Sequence, residues 1–220
     1  SLLYPDTLAL EQCSSQASAE YKSRLIPEGA TVADLTGGLG VDSYFLSRRA
    51  SKLTYYERKP HLAEAAQENF RTLGAMNIDC HTVELTLEKI QSPDFPSYDI
   101  IFLDPARRDK MGGRVYSIAD CEPNLTLWRT PLLTKANTIL AKVSPMADIS
   151  QILGEVPGIG EIHILSVDHE CKELLLKITG TPADEPHIYC INLLKNGEQH
   201  FEFIRSEEGQ ATATEVFDRE

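Results

Sequence analysis

The chain has 220 residues, 42% of them hydrophobic and 25% charged, which suffices for one good core and a small appendage. No apolar run approaches the length of a membrane span, and no basic segment precedes an apolar one as in an export signal. The formal net charge is −12, and a uniformly acidic surface repels phosphate backbones, which excludes a generic nucleic-acid binder.

Residues 8–26 place apolar side chains at helical spacing until Pro27-Glu28-Gly29 stops them, so an N-terminal helical segment is expected over 1–28. Short apolar strands then alternate with helical patterns. "ATVADL" reads as a strand and 41–49 as a helix; "KLTYYE" is a strand, followed by a helix over 61–73 that Pro60 starts. "IDCHTVE" is a third strand with a short polar helix after it. "YDIIFLD" runs apolar without alternation, as in a parallel strand covered on both faces.

A long loop and a helix near 124–134 lead to "NTILAKVS", and a helix near 148–153 leads to "EIHILSVD" and "ELLLKIT". The link between these last two is too short for a crossover helix, so they are expected to pair antiparallel. The expectation is an α/β, Rossmann-like, doubly wound and mostly parallel seven-stranded sheet, with an antiparallel hairpin at one edge. It occupies residues 29–181. Beyond it, 182–220 holds a β-hairpin around Asn196-Gly197, as a sheet extension or the start of a C-terminal module. That tail holds nine acids and three bases. A first residue other than methionine, with an abrupt Asp218-Arg219-Glu220 end, predicts a piece of a longer chain.

Cys13, Cys80, Cys121, Cys171 and Cys190 are widely spaced and never form a C-x-x-C pair, and the histidines show no metal spacing. A reduced, cytoplasmic, metal-free protein is expected.

In an open parallel sheet, ligands bind beyond the carboxyl ends of the strands. The first strand ends at Asp34 and turns through Gly37, Gly38 and Gly40, with Asp42 next; the second ends at Glu57, the third at Glu84 and the fourth at Asp104. Four consecutive strands each deliver a carboxylate to one rim, and crowded carboxylates repel unless something uses them. Glu57 is placed to accept from ribose hydroxyls, and the glycine turn lets backbone approach the ligand. The G-G-x-G spacing differs from the dinucleotide G-x-G-x-x-G. Acids around the loop disfavour a pyrophosphate and favour a cationic or zwitterionic ligand, a description that S-adenosylmethionine, with its amino group and sulfonium, fits better than NAD. The same glycines would also serve a purely structural turn.

"DLTGGLGVD", "YYE" and "FLDPARR" at this spacing resemble the motifs of class I S-adenosylmethionine-dependent methyltransferases, over roughly residues 8–180. "EQCSSQASAEYKSRL" with "LDPARRD" resembles, more closely, the bacterial members that carry a C-terminal THUMP-like domain, a module associated with RNA. The resemblance implies that Asp34, Gly37, Gly38, Gly40 and Asp42 surround the amino-acid end and sulfonium of the cofactor. It places Glu57 on the ribose, Arg58 beside the adenine and Glu84 near the adenine amine. Gln12 and Ser15 belong either to a lid over the cofactor or to an ordinary surface helix, which the pattern alone does not decide.

Asp104-Pro105-Ala106-Arg107 matches the D/N-P-P-Y/F/R motif, in which side-chain and backbone oxygens orient an acceptor nitrogen at the methyl group. Ala106 replaces the second proline and Arg107 the aromatic, which removes the usual stacking platform. The D-P-P-R variant of RNA uridine C5-methyltransferases needs a cysteine after the fifth strand, where this chain reads Val143-Ser144-Pro145. The implied reaction is methylation of an RNA base nitrogen. Arg107, Arg108, Lys110 and Arg114 guide the nucleic acid, and an appended module provides most of the affinity. Methylation of a small molecule or protein, and a non-catalytic cofactor- or RNA-binding adapter, are the alternatives.

Overall fold

The structure is a computed structural model that describes residues 2–107, 118–181 and 185–210. The N-terminal stretch expected as one helical segment is two helices, α1 (Thr7–Gln12) and α2 (Gln16–Arg24). The reason is local. Ser15 sits in extended backbone, and its hydroxyl accepts the Ser18 N–H at 3.2 Å, an N-cap that starts a new helix. Asp6 caps α1 in the same way through the Ala9 N–H.

The α/β alternation follows: β1 (Thr31–Asp34), α3 (Val41–Ser47), β2 (Lys52–Glu57), α4 (Pro60–Leu73), β3 (Ile78–Thr82), α5 (Leu87–Gln91) and β4 (Tyr98–Leu103). α4 has Pro60 in its first turn, where the missing N–H costs nothing, and ends on Gly74 at φ 74°. Its buried stripe, Leu62, Ala63, Ala66 and Phe70, has helical spacing. A short antiparallel pair, β5 (Ala106–Arg107) with β6 (Cys121–Glu122), stands apart from the main sheet. α6 (Leu125–Leu133), β7 (Ala136–Val143), α7 (Ile149–Glu155), β8 (Ile159–Val167) and β9 (Glu170–Thr179) complete the core.

β1, β2, β3, β4 and β7 are parallel; β9 runs antiparallel between β7 and β8. Asp168 and His169, both at positive φ, make the tight link between β8 and β9. The sheet is wider than the seven strands expected. β10 (His187–Leu194) and β11 (Gly197–Ile204) form a hairpin, and β10 pairs parallel with β8. The order is β11-β10-β8-β9-β7-β4-β1-β2-β3. Two apolar layers bury the two faces, one around Ile101, Leu103, Ile139 and Leu176, the other around Leu46, Leu53, Tyr55, Phe102 and Leu175. Each of these side chains contributes about 1.5–3 kcal/mol by leaving water.

Strand order reverses between β1 and β4, since β2 and β3 extend one way and β7 the other. Loops after β1 and β4 therefore diverge and leave a crevice at their carboxyl ends. Among the described residues, no helix is long and apolar enough to cross a membrane, and no group of three or more metal-binding side chains occurs. None of the five cysteines is in a disulfide.

Candidate functional site

A cavity of about 270 Å³ opens at that crevice. Its walls come from the β1–α3 turn, the residues after β2, β3 and β4, and α1 with Cys13 and Ser14 above. Asp34, Gly37, Gly38, Gly40, Asp42, Glu57, Arg58, Glu84, Gln12, Asp104 and Ala106, all singled out from the sequence, line it. Pro105 is buried outside the lining. Arg107 lies in β5, and its side chain is outside what the structure describes, as are Arg108, Lys110 and Arg114 altogether. Glu84 stands two residues beyond the end of β3, because that strand stops at Thr82. Trp128 of α6 also reaches the lining.

The glycines divide into two kinds. A Cβ on Gly37 would stand 2.0 Å from the Tyr55 ring, and one on Gly40 2.4 Å from the Phe70 ring. These two positions are glycine because aromatic rings press up beneath the turn. Gly38, at φ 54°, faces open space apart from the Thr36 carbonyl at 3.8 Å. Its N–H donates to Glu57 Oε2 at 2.8 Å, and its carbonyl accepts the buried Tyr55 hydroxyl at 2.6 Å.

Glu57 is anchored on its other side by the Lys59 N–H at 2.8 Å. Each carboxylate oxygen keeps a second lone pair, so a clamped Glu57 still accepts from a ligand in the cavity. Asp34 differs. Ser43 donates to its Oδ2 at 2.5 Å and the Thr36 N–H to its Oδ1 at 3.0 Å. It is 1% exposed, and burial pushes its carboxyl up to about 7, against the hydrogen bonds from Ser43 and Thr36. Asp34 acts as the internal brace of the turn. Thr36 extends the brace, its hydroxyl accepting the Asp104 N–H at 2.7 Å and so tying the glycine turn to the end of β4.

Two lysines behind the cavity carry no signal in the sequence pattern. Lys142, next to the last residue of β7, donates to Asp104 Oδ2 at 2.5 Å. Burial pulls its ammonium down, but Asp104, Asp42 and Glu173 together hold it above the ordinary lysine value. Lys22 of α2 is fully buried between Asp42 and Glu173. In sequence it reads as one more basic residue on a surface helix; only the packing of α2 against α3 turns it inward. Arg58 is half exposed, 3.7 Å from Glu84 and 3.6 Å from Glu122 at the rim.

The arrangement offers a clamped carboxylate at the end of β2, an open glycine backbone at its centre, and a lysine-paired carboxylate at the end of β4. It fits a ligand with paired hydroxyls, a polar middle and a cationic end.

No protein-family model matches the chain, and no curated protein matches it. Among solved structures, one assigned as a methyltransferase from Porphyromonas gingivalis W83 is 37% identical over 99% of this chain, with a TM-score of 0.86. The chain spans about half, 54%, of that protein. One assigned as an S-adenosylmethionine-dependent methyltransferase from Streptococcus mutans is 14% identical, covering 74% of this chain and 47% of its own, with a TM-score of 0.58. Another, SMU.776, assigned as a methyltransferase and complexed with S-adenosylhomocysteine, is 16% identical over 69% of this chain and 45% of its own, at a TM-score of 0.55. The fold is that of the Rossmann-like methyltransferases.

Proposed function

We propose that this chain is an S-adenosylmethionine-dependent methyltransferase domain whose acceptor is a base nitrogen in RNA. The observation that carries the reading is the convergence of Glu57, Gly38, Asp42 and Asp104 on one cavity at the strand-order reversal. The likeness to the Porphyromonas protein supports it. When bound, the cofactor supplies an electrophilic methyl group on a sulfonium. Glu57 accepts from the ribose hydroxyls, and Arg58 and Glu84 flank the adenine. Gly38 gives the backbone approach, and Asp42 faces the amino-acid end. Asp104 accepts an N–H of the acceptor through Oδ1, since Lys142 holds Oδ2. Its carboxylate and the Pro105 carbonyl orient the nitrogen lone pair, so the chain's contribution is chiefly positioning.

RNA is favoured by the resemblance to methyltransferases with a THUMP-like module and by the basic run that follows Asp104 in sequence. Ala106–Arg107, where that run begins, pairs with Cys121–Glu122 beyond it, and Ala106 and Glu122 line the cavity. Most of the RNA affinity is assigned to the appended module. Methylation of a small molecule or protein is the competing reading, and the net charge of −12 favours it.

Titration with S-adenosylhomocysteine tests the cofactor: binding heat is expected, and its absence together with no thermal shift would reject the assignment. Incubation with methyl-labelled cofactor and total RNA from cells lacking the gene tests the acceptor. Label is expected in RNA; label in protein or small-molecule fractions overturns that part, and no transfer despite cofactor binding favours the adapter.

A further inference from the structure

The buried cluster around Lys22 has no role in the reading above apart from Asp42. Its ammonium is 0% exposed, with Asp42 Oδ1 at 2.8 Å and Glu173 Oε1 at 2.9 Å. It donates to Ser14 Oγ at 2.6 Å and to Glu173 Oε2 at 3.0 Å. Ser14 in turn donates to Asp42 Oδ2 at 2.8 Å. With Lys22 supplying the proton on one side of that hydroxyl, the Ser14 hydrogen is committed to Asp42, and a directed chain runs Lys22 to Ser14 to Asp42. Ser14 and Asp42 line the cavity; Lys22 and Glu173 stand behind them.

Taking a lysine wholly out of water is costly, and a well-packed apolar side chain there would serve the fold as well or better. The cluster ties three elements together: α2, the first turn of α3 and β9. Asp42 Oδ1 and Glu173 Oε1 are ion-paired with the ammonium, and Asp42 Oδ2 accepts from Ser14. Each carboxylate oxygen of Asp42 keeps a second lone pair. A carboxylate held in this way at the cavity wall, beside an oriented serine, matches the α-ammonium of an amino acid.

We infer that Lys22 is a positioning residue that holds Asp42 and Ser14 in place to recognise the amino-acid end of the cofactor, an inference that rests on the cofactor reading proposed above. Lys22 does not touch the ligand. It sets the rotamers of the two residues that do, and Glu173 holds the lysine from behind.

The test compares two ligands by isothermal titration of the intact chain: S-adenosylhomocysteine, and methylthioadenosine, which has the same nucleoside without the amino-acid end. Failure of the unaltered protein to bind either ligand overturns the cofactor reading on which this inference rests. Given binding, Lys22→Met is expected to weaken S-adenosylhomocysteine by about tenfold or more, the scale of one charged hydrogen bond, with methylthioadenosine within about twofold. Equal losses for both ligands, or no loss for either, overturn the inference.

Because Lys22→Met strands two buried carboxylates, the double variant Lys22→Met with Glu173→Gln lowers that burden and is measured alongside. A double variant that keeps the ligand-selective loss supports positioning. One that recovers S-adenosylhomocysteine affinity shows that Lys22 only balances charge. Ser14→Ala leaves every charge in place and decides the matter if neither variant folds: a selective loss of about threefold or more is expected, the low end for one hydrogen bond. Unchanged affinity for both ligands overturns the inference.

Discussion

Where β1, β2 and β4 end, the chain delivers Asp34, Glu57 and Asp104 to one cavity; the hairpin β10–β11 at the other end of the same sheet delivers nothing to it. Among the described residues, none after Trp128 lines the cavity. Parallel strands all end on one side, so whatever follows them gathers on one rim, and the strand-order reversal opens that rim into a crevice. Antiparallel strands send their ends to opposite sides, and a hairpin ends in a turn. The hairpin instead completes the edge, with β11 almost wholly exposed and carrying Glu198, His200 and Glu202 against further strand pairing. In one sheet, the parallel half gathers the cavity at its rim and the hairpin closes the edge.

Four substitutions break or sharpen that contrast. The largest effect is expected from Gly37→Ala, whose Cβ would collide with the buried Tyr55 ring at 2.0 Å. About 3 kcal/mol of stability is expected to be lost, by chemical denaturation, along with S-adenosylhomocysteine binding. A neutral result would show that the turn yields easily. Next is Glu57→Ala, expected to reduce S-adenosylhomocysteine affinity about a hundredfold by titration, as for loss of a charge-assisted pair of hydrogen bonds. Unchanged affinity would remove Glu57 from the ligand.

Asp34→Asn tests the brace through pH. The folded carboxyl titrates near 7 against an ordinary value of 3.8, so between these values the unfolded chain has lost its proton while the native state keeps it. Stability from Asp34 is therefore full below about 3.8 and falls as pH rises toward 7. Relative to Asp34→Asn, the native protein should lose about 2 kcal/mol of stability between pH 5 and pH 7. A difference independent of pH would contradict the buried carboxyl. The smallest effect belongs to the hairpin: Phe201 is 65% exposed, and Phe201→Ser should change stability by less than about 0.5 kcal/mol, with cofactor affinity untouched. A large change would mean that the hairpin face supports the cavity after all.

Much of this site was legible in the sequence because short-range chemistry writes it there. Apolar runs marked the strands, and the residues after them were acids. The reading of Gly37 and Gly40 as backbone approach was incomplete, since only the third dimension brings Tyr55 and Phe70 beneath them. Periodicity ran across the Ser14-Ser15 break, because spacing does not register a hydroxyl folding back to cap a helix. The hairpin was visible as a hairpin, but whether it joined the sheet depended on β8 leaving an edge to pair with.

By itself, the sequence determined the order of elements, the rim of carboxylates and the turn of glycines, because each depends on neighbours within a few residues. Only the tertiary structure decided which polar groups share a partner. Lys22 and Glu173 are 151 residues apart, and Lys142 and Asp104 are 38 apart. A charge in sequence has no sign of burial attached to it; packing removes the water, and then each buried charge needs its opposite within reach.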